Sequence, residues 1–319
     1  MRQPSHAAIA KRLPSEEICW LVLVASTIGI FYALLFGFFL WLGHELLIGY
    51  LKSEGVLVND RQLPRLHRAF LDVCSKLDVN PVPELYIVQA GGILNAFATR
   101  FSGRNFVVVY SDMLEANGED SQQMRFILGH EIGHIRRGHI LKHLLLLPGR
   151  ILPLLGPAYS RACEATCDRH GALACEHIDG GIEAMMRLSG GKMAGATMNP
   201  QAFAEQYQRA RGFFVSWHEL TSGYPTLSQR VFNLIALRDR SAPRQASRHP
   251  LAYLFALFAL GGRTSGGGNV LVAIAVVAIL MSLALPAFTG AQQKAKRLRE
   301  QERQRMEQLQ KEIQRNQAQ

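Results

Sequence analysis

The chain has 319 residues, a formal net charge of +10, a hydrophobic fraction of 48% and five cysteines. That apolar content exceeds what a purely soluble enzyme needs, and much of it lies in two runs near the ends of the chain. The basic residues cluster beside those runs, so we exclude nucleic acid as a partner. The cysteines form no C-x-x-C pair or dense framework, so no disulfide scaffold is implied.

The first apolar run, residues 18–42, contains no charged side chain. It is longer than the roughly 20 residues that cross a bilayer. A cleaved signal peptide is the alternative. Its apolar core is usually only about 7 to 15 residues and is followed by a small-x-small cleavage site, whereas this run is longer and no such site follows it. We therefore predict a transmembrane helix at residues 18–42, preceded by a cytoplasmic tail at residues 1–17.

The second apolar run, residues 270–285, lies near the lower limit of about 17 residues for a spanning helix. We predict a transmembrane helix at residues 269–288, after a linker at residues 249–268 and before a basic, Gln-rich helical tail at residues 289–319. Its composition is similar to the N-terminal helix of type IV pilins, but that likeness covers one helix and implies no pilin function.

Basic residues on the outer flanks of both runs predict that the two chain ends are cytoplasmic. The domain between the runs would then be periplasmic or extracytoplasmic, although several arginines just before the second run count against that orientation. The expected localisation is multi-pass, in a bacterial inner or plasma membrane.

Residues 43–248, between the two runs, have the pattern of one soluble domain. Apolar residues recur at three and four positions over residues 65–77, which predicts an amphipathic helix. β-branched and aromatic runs at residues 85–88 and 106–110 are bounded by glycines and predict two strands of a small sheet. Residues 95–98 are assigned to turn chemistry and core packing near the connection between these strands.

Helical spacing over residues 121–143 predicts a long helix that ends before Pro148. The apolar stretch 144–157 contains prolines, glycines and an arginine, so we predict a buried or interfacial loop with a short helix there. Further helices are predicted at about residues 159–175, 181–188 and 200–211. The expected fold class is α+β, mostly helical with a small β-sheet, plus the two transmembrane helices.

The string His130-Glu131-Ile132-Gly133-His134 lies inside the predicted long helix. Side chains at i and i+4 project from one face of a helix, so both imidazoles can bind one zinc ion at about 2.0 Å. Glu131 points beside the metal, where it can take a proton from the water that zinc activates. An ordinary surface helix with two histidines is the alternative, and the helical pattern favours the metal site.

A catalytic zinc ion needs three protein ligands and an open position, so a third donor must come from elsewhere. Glu164 is the leading candidate, and Asp168 falls one turn later, where it could accept a hydrogen bond from a ligating imidazole or form a surface salt bridge. A continuous helix turns His139 away from the paired histidines and carries His143 about 13 Å along the axis, which disfavours both. His170 is a weaker alternative ligand.

These motifs resemble those of the HtpX-like and CAAX-prenyl-protease type membrane zinc metallopeptidases of the gluzincin clan. The likeness covers roughly residues 57–237. Four blocks carry it: Asn95-Ala-Phe97-Ala at the substrate edge, the zinc helix given above, Ser160-Arg161-Ala-Cys-Glu164-Ala-Thr-Cys-Asp168, and Tyr224-Pro-Thr-Leu-Ser-Gln-Arg230.

The resemblance implies a zincin-like metallopeptidase domain with one Zn²⁺ per chain. Glu164 would be the third metal ligand. Asp168 would be a hydrogen-bond partner of the metal ligands, and Arg230 would support the site. Tyr224 stands where the family usually has histidine, and Cys167 where it usually has alanine. The tyrosine hydroxyl can still donate a hydrogen bond to a developing oxyanion.

The predicted function is that of a membrane-anchored zinc metalloendopeptidase, with an implied role in quality control of membrane or envelope proteins. An extended protein or peptide substrate would add as a strand at an exposed sheet edge, expected at residues 106–110, with Asn95 and Phe97 at the substrate edge. The alternative is a catalytically silent zinc-binding membrane module that acts as a chaperone or scaffold. Glu131 argues against it, because structural zinc sites usually fill all four positions with Cys and His.

Overall fold

The computed structural model describes residues 14–101, 103–243 and 245–259. Most of the predicted N-terminal tail, and all of the predicted second transmembrane helix and basic tail, lie outside these residues. In chain order the elements are α1 Pro14–Glu54, β1 Val56–Leu57, α2 Pro64–Lys76, β2 Glu84–Val88, β3 Ala96–Phe101, β4 Arg104–Tyr110, α3 Ser111–Asn117, α4 Gln122–Arg136, α5 His139–Leu145, α6 Leu147–Arg150, α7 Leu155–Ala174, α8 Asp179–Thr197, α9 Pro200–Arg209, α10 Phe213–Thr221, α11 Leu227–Arg238 and α12 Pro250–Ala256. The mostly helical fold with one small sheet is confirmed.

The first helix, α1, is 41 residues long. Its stretch Ile18–Glu54 is long and apolar enough to cross a membrane, and its most apolar window has no residue buried inside the structure. The last turns of α1 bury Ile48 and Leu51 in a core cluster with the sheet. The predicted boundary between anchor and domain, at residues 42 and 43, therefore falls inside one continuous helix.

The four-stranded sheet has the order β1-β2-β4-β3. Strand β4 pairs parallel with β2 on one side and antiparallel with β3 on the other, so its hydrogen-bonding groups are used on both sides. The expectation that residues 106–110 form the exposed edge was therefore wrong. The two edge strands are β1 and β3. Strand β3 contains Phe97 and occupies much of the segment that was assigned to turn chemistry.

Both faces of the sheet are buried because its two inner strands carry apolar residues at nearly every position. One face packs on the last turns of α1 through Tyr86, Val88, Phe106 and Val108. The intervening residues Leu85, Val107 and Val109 are also buried. They point to the opposite face, since successive strand side chains alternate.

The described chain forms two compact units. The first is the described part of Met1–Ile140 together with His170–Thr197, and within it α4 contacts α2, α8 and β3. The second is the described part of Leu141–Arg169 and Met198–Gln319, within which α9 packs on α11 and α10 packs on α12.

Helix α4 approaches the last turn of α7 closely, at a position where neither backbone could carry a larger side chain. A Cβ added to Gly129 would lie 2.5 Å from Cβ of Ala174 and 3.0 Å from Cα of Gly171. A Cβ added to Gly171 would in turn lie 2.7 Å from the carbonyl oxygen of Phe126. The two helices therefore touch through their backbones.

We expect Gly129→Ala to lower the free energy of unfolding by about 1 to 3 kcal/mol, because the new methyl group would overpack this contact. That loss corresponds to roughly 2 to 4 °C in Tm per kcal/mol for a domain of this size. The measurement is thermal unfolding of the purified protein in detergent. Gly149→Ala is the control, since a Cβ there meets nothing within 4 Å, and equal Tm shifts for the two variants would contradict the prediction.

Candidate metal centre

The helix that carries the two histidines, α4, is capped and largely buried. The Ser121 side chain accepts a hydrogen bond from the backbone N–H of Met124 at 3.0 Å and so satisfies a donor of the first turn. Every residue of α4 from Phe126 to His134 is buried. The helix is therefore not an ordinary surface helix, and metal binding by its two histidines stays a prediction.

His130, Glu131 and His134 are less than a tenth exposed, and the ring centroids of the two histidines are 5.1 Å apart. This separation follows from their i, i+4 spacing on one helix. Two imidazoles held one turn apart in a buried setting can bind a single cation.

Two groups of buried side chains among the described residues could hold a metal ion. One consists of His130, His134 and Glu164, and the other of His134, His139 and Cys167. Within each group, one ligand atom from each residue lies within 4.8 Å of the others. Two imidazoles and a carboxylate match the three-ligand set of a catalytic zinc site, so the first group fits zinc.

The position of His139 differs from the sequence-based expectation. Helix α4 ends at Arg136, and Gly138 adopts a positive φ of 63° before α5 begins at His139. Nδ1 of His139 lies 3.3 Å from Nδ1 of His134. The predicted continuous helix over residues 121–143 was wrong, and the break brings His139 to the ring of His134.

Glu164 and Asp168 lie on the same helix, α7, and both are buried. Arg230 of α11 donates from Nε to Oδ2 of Asp168 at 2.9 Å and from Nη2 to Oδ1 at 2.5 Å. Asp168 thus forms a buried two-point ion pair instead of a surface salt bridge. A hydrogen bond between Asp168 and a ligating imidazole stays a prediction.

Arg161, which lies in the motif that contains Glu164, has a defined structural role. Its Nη1 donates to the carbonyl oxygens of Leu220 at 3.1 Å and Ser222 at 2.7 Å. Burial, together with the nearby cation of Arg248, lowers the pKa of Arg161 to about 10. Arg161 therefore stays charged at neutral pH and fixes the backbone just before Tyr224.

Tyr224 is exposed and lies in a short turn before α11. Its backbone N–H donates to Oγ of Ser222 at 3.2 Å, and the same hydroxyl donates to the carbonyl oxygen of Tyr224 at 2.9 Å. The turn that presents the tyrosine is therefore held by local hydrogen bonds.

The two residues assigned to the substrate edge lie at the start of β3. Asn95 is exposed, and its Oδ1 accepts a hydrogen bond from the N–H of Ala96 at 3.0 Å. Phe97 is half-buried and makes an edge-on ring contact with Tyr110. The disfavoured candidate His143 and the weaker alternative His170 are both buried, and neither belongs to the groups that could hold a metal ion among the described residues.

A buried H-E-x-x-H helix, grouped with a carboxylate from a later helix, has the donor set of the gluzincin class of metallopeptidases. Residues 60–150 match Peptidase family M48, which confirms the resemblance found in the motifs. The match includes the H-E-x-x-H string and ends before Glu164, Tyr224 and Arg230. No curated protein matches the chain.

We expect His139→Ala to weaken zinc binding about 10-fold to 100-fold, the usual cost of removing a hydrogen-bond partner behind a metal ligand. When Nε2 of His134 binds the metal, its Nδ1–H can donate to Nδ1 of His139 and hold the ring. His139→Asn should keep part of the affinity, because its amide oxygen can replace that acceptor. The measurement is zinc competition against a chelating dye.

His177→Ala is the control for this experiment, because that histidine is exposed. Equal zinc affinities for His139→Ala and the control would contradict the positioning role.

Cobalt-substituted protein tests the second group of possible ligands, since coordination by Cys167 would produce a thiolate absorption band.

Proposed function

We propose that the chain is a membrane-anchored zinc metalloendopeptidase whose metal is held by His130, His134 and Glu164. The grouping of these three buried side chains, with ligand atoms within 4.8 Å of one another, is the observation that carries the proposal. The match of residues 60–150 to a peptidase family supports the same activity.

A zinc ion bound there supplies Lewis-acid chemistry and lowers the pKa of a water molecule towards 7. Glu131 lies next to His130 on the same buried helix, so its carboxylate can accept the proton of the attacking water. An O–C bond to the peptide carbonyl forms, the C–N bond breaks, and Glu131 passes the proton to the leaving amine nitrogen.

The substrate proposed is a protein or peptide that binds in an extended conformation beside β3. Strand β3 is paired only with β4 in the described sheet and contacts the metal-binding helix α4. A peptide that adds to this edge gains main-chain hydrogen bonds and passes beside α4. Asn95 and Phe97, at the start of β3, would then contact the substrate.

The membrane anchor proposed is α1, which is long and apolar enough to span a bilayer. We also propose that the predicted second transmembrane helix makes the protein multi-pass, with the catalytic domain on the periplasmic or extracytoplasmic side. Quality control of membrane or envelope proteins is the physiological role that fits a peptidase held at a bilayer.

We expect Glu131→Gln to keep zinc and to lose proteolysis, because the amide cannot accept the proton of the attacking water. Glu164→Ala should lose both zinc and activity, because only two ligands of the proposed site remain. The measurements are metal analysis and casein cleavage by the full-length protein in detergent.

Full activity of Glu131→Gln would rule out the proposed general base. Zinc retained by Glu164→Ala would rule out that carboxylate as the third ligand. The alternative of a silent chaperone or scaffold predicts no chelator-sensitive cleavage by the unmodified protein.

The Tyr224→Phe variant tests whether the hydroxyl of this exposed residue donates to the developing oxyanion. Loss of one such donor typically lowers kcat about 10²-fold to 10³-fold, and we expect a fall of that order with little change in KM. Steady-state kinetics with a fluorogenic peptide measure both constants. Tyr50→Phe, on the exposed side of α1, is the control, and unchanged turnover by Tyr224→Phe would remove the residue from the mechanism.

A further inference from the structure

Helix α12 buries its small side chains and exposes its large ones. Ala252 and Ala256 lie in a core cluster with Leu220. Leu251, Leu254, Phe255 and Phe258 follow the spacing i, i+3, i+4, i+7, and each is at least half exposed. Side chains at that spacing share one face of a helix, so α12 and the residues just after it present an apolar face away from their own core.

Neighbouring segments of the same unit extend this apolar face. The ring of Phe213 contacts Phe255 at 5.3 Å and Phe214 at 5.1 Å, and Phe214 is 78% exposed. Leu154 packs on the same core cluster as α12. Its neighbours Ile151, Leu152 and Leu155 are all exposed. We call the following set the apolar patch: Ile151, Leu152, Leu155, Phe214, Leu251, Leu254, Phe255 and Phe258.

Two of the three segments that carry the apolar patch are basic and contain no carboxylates, and the third, α10, carries only Glu219, which is buried and paired with Arg248. Residues 132–163 and 240–299 include no Asp or Glu but several Arg and Lys. Lys142 and Arg150 flank the run of leucines before Ile151, and Arg211 lies just before the two phenylalanines of α10. An apolar surface bordered by cations suits a bilayer with anionic headgroups.

The position of the patch in the chain points to the same partner. Phe258 is followed, outside the described residues, by the apolar run 270–285 and then by a basic tail. A contiguous exposed surface of leucine and phenylalanine marks an interaction site. Because α1 can itself cross a membrane, a bilayer is available to that surface.

We propose that the apolar patch inserts into the interfacial region of an anionic lipid bilayer, with its basic neighbours at the level of the headgroups. The patch would be a membrane contact separate from the membrane-spanning helices, formed by α12 and the residues just after it, the start of α10, and residues 151–155 at the start of α7. The proposal does not depend on metal or peptidase activity, so either can fail without the other.

Site-directed spin labelling of the full-length chain in phosphatidylcholine and phosphatidylglycerol vesicles tests the proposal. The background is Cys19→Ser, because Cys19 is exposed whereas Cys74, Cys163 and Cys167 are buried. Burial raises the pKa of Cys74 and Cys175 to about 12, so these thiols react slowly with the label. The labelled variants are Leu152→Cys, Leu254→Cys and Phe258→Cys, and the control is Glu205→Cys, on the exposed face of α9.

Collision of the label with oxygen, which concentrates in lipid, is compared with collision with a water-soluble nickel chelate. We expect the oxygen-to-nickel ratio at the three patch positions to exceed the control ratio severalfold. High accessibility to both reagents would mean that the patch faces water and would overturn the proposal. Low accessibility to both would also overturn it, because a second copy or the chain's own C-terminal segment would then cover the patch.

Discussion

The backbone contact between α4 and the last turn of α7 fixes how α4, the helix that carries His130 and His134, is rotated about its own axis. Gly129 leaves no room for a Cβ beside Ala174, and it immediately precedes His130. The ring of Phe126, one turn earlier, would similarly clash with any Cβ at Gly181. Since close-packed helices cannot rotate without clashes, these contacts set the direction in which His130, and one turn later His134, leave α4.

Helix α7 is fixed at a second point by the buried ion pair of Asp168 and Arg230. Two parallel hydrogen bonds between a guanidinium and a carboxylate define an orientation as well as a distance. Loss of either partner would leave an uncompensated charge in a buried setting, which is strongly destabilising. Glu164 lies one turn before Asp168, so the bidentate pair also orients the side of α7 that carries the proposed third ligand.

The parts of the site that depend on local spacing could be predicted from the sequence. The helix around His130 and His134 follows from its apolar periodicity, and the pairing of the two imidazoles follows from their separation by four residues. The pairing of Asp168 with Arg230 joins residues far apart in the chain, so no local pattern contains it. Strand β3 was missed for a related reason, because Ala96–Phe101 alternates weakly and becomes a strand by pairing with β4.

The largest difference between the predicted and the observed site comes from the break after α4, because the sequence-based prediction was a continuous helix. In a continuous helix, His139 would lie about 140° around the axis from His134 and about 7.5 Å along it. Gly138 instead adopts a left-handed φ that other residues disfavour, and the chain turns so that His139 contacts His134. Glycine just after the last residue of a helix is a common termination signal, so this break was readable from the sequence. An imidazole that binds a metal ion through one nitrogen usually has a hydrogen-bond partner at the other, and the turn at Gly138 places His139 within reach of Nδ1 of His134.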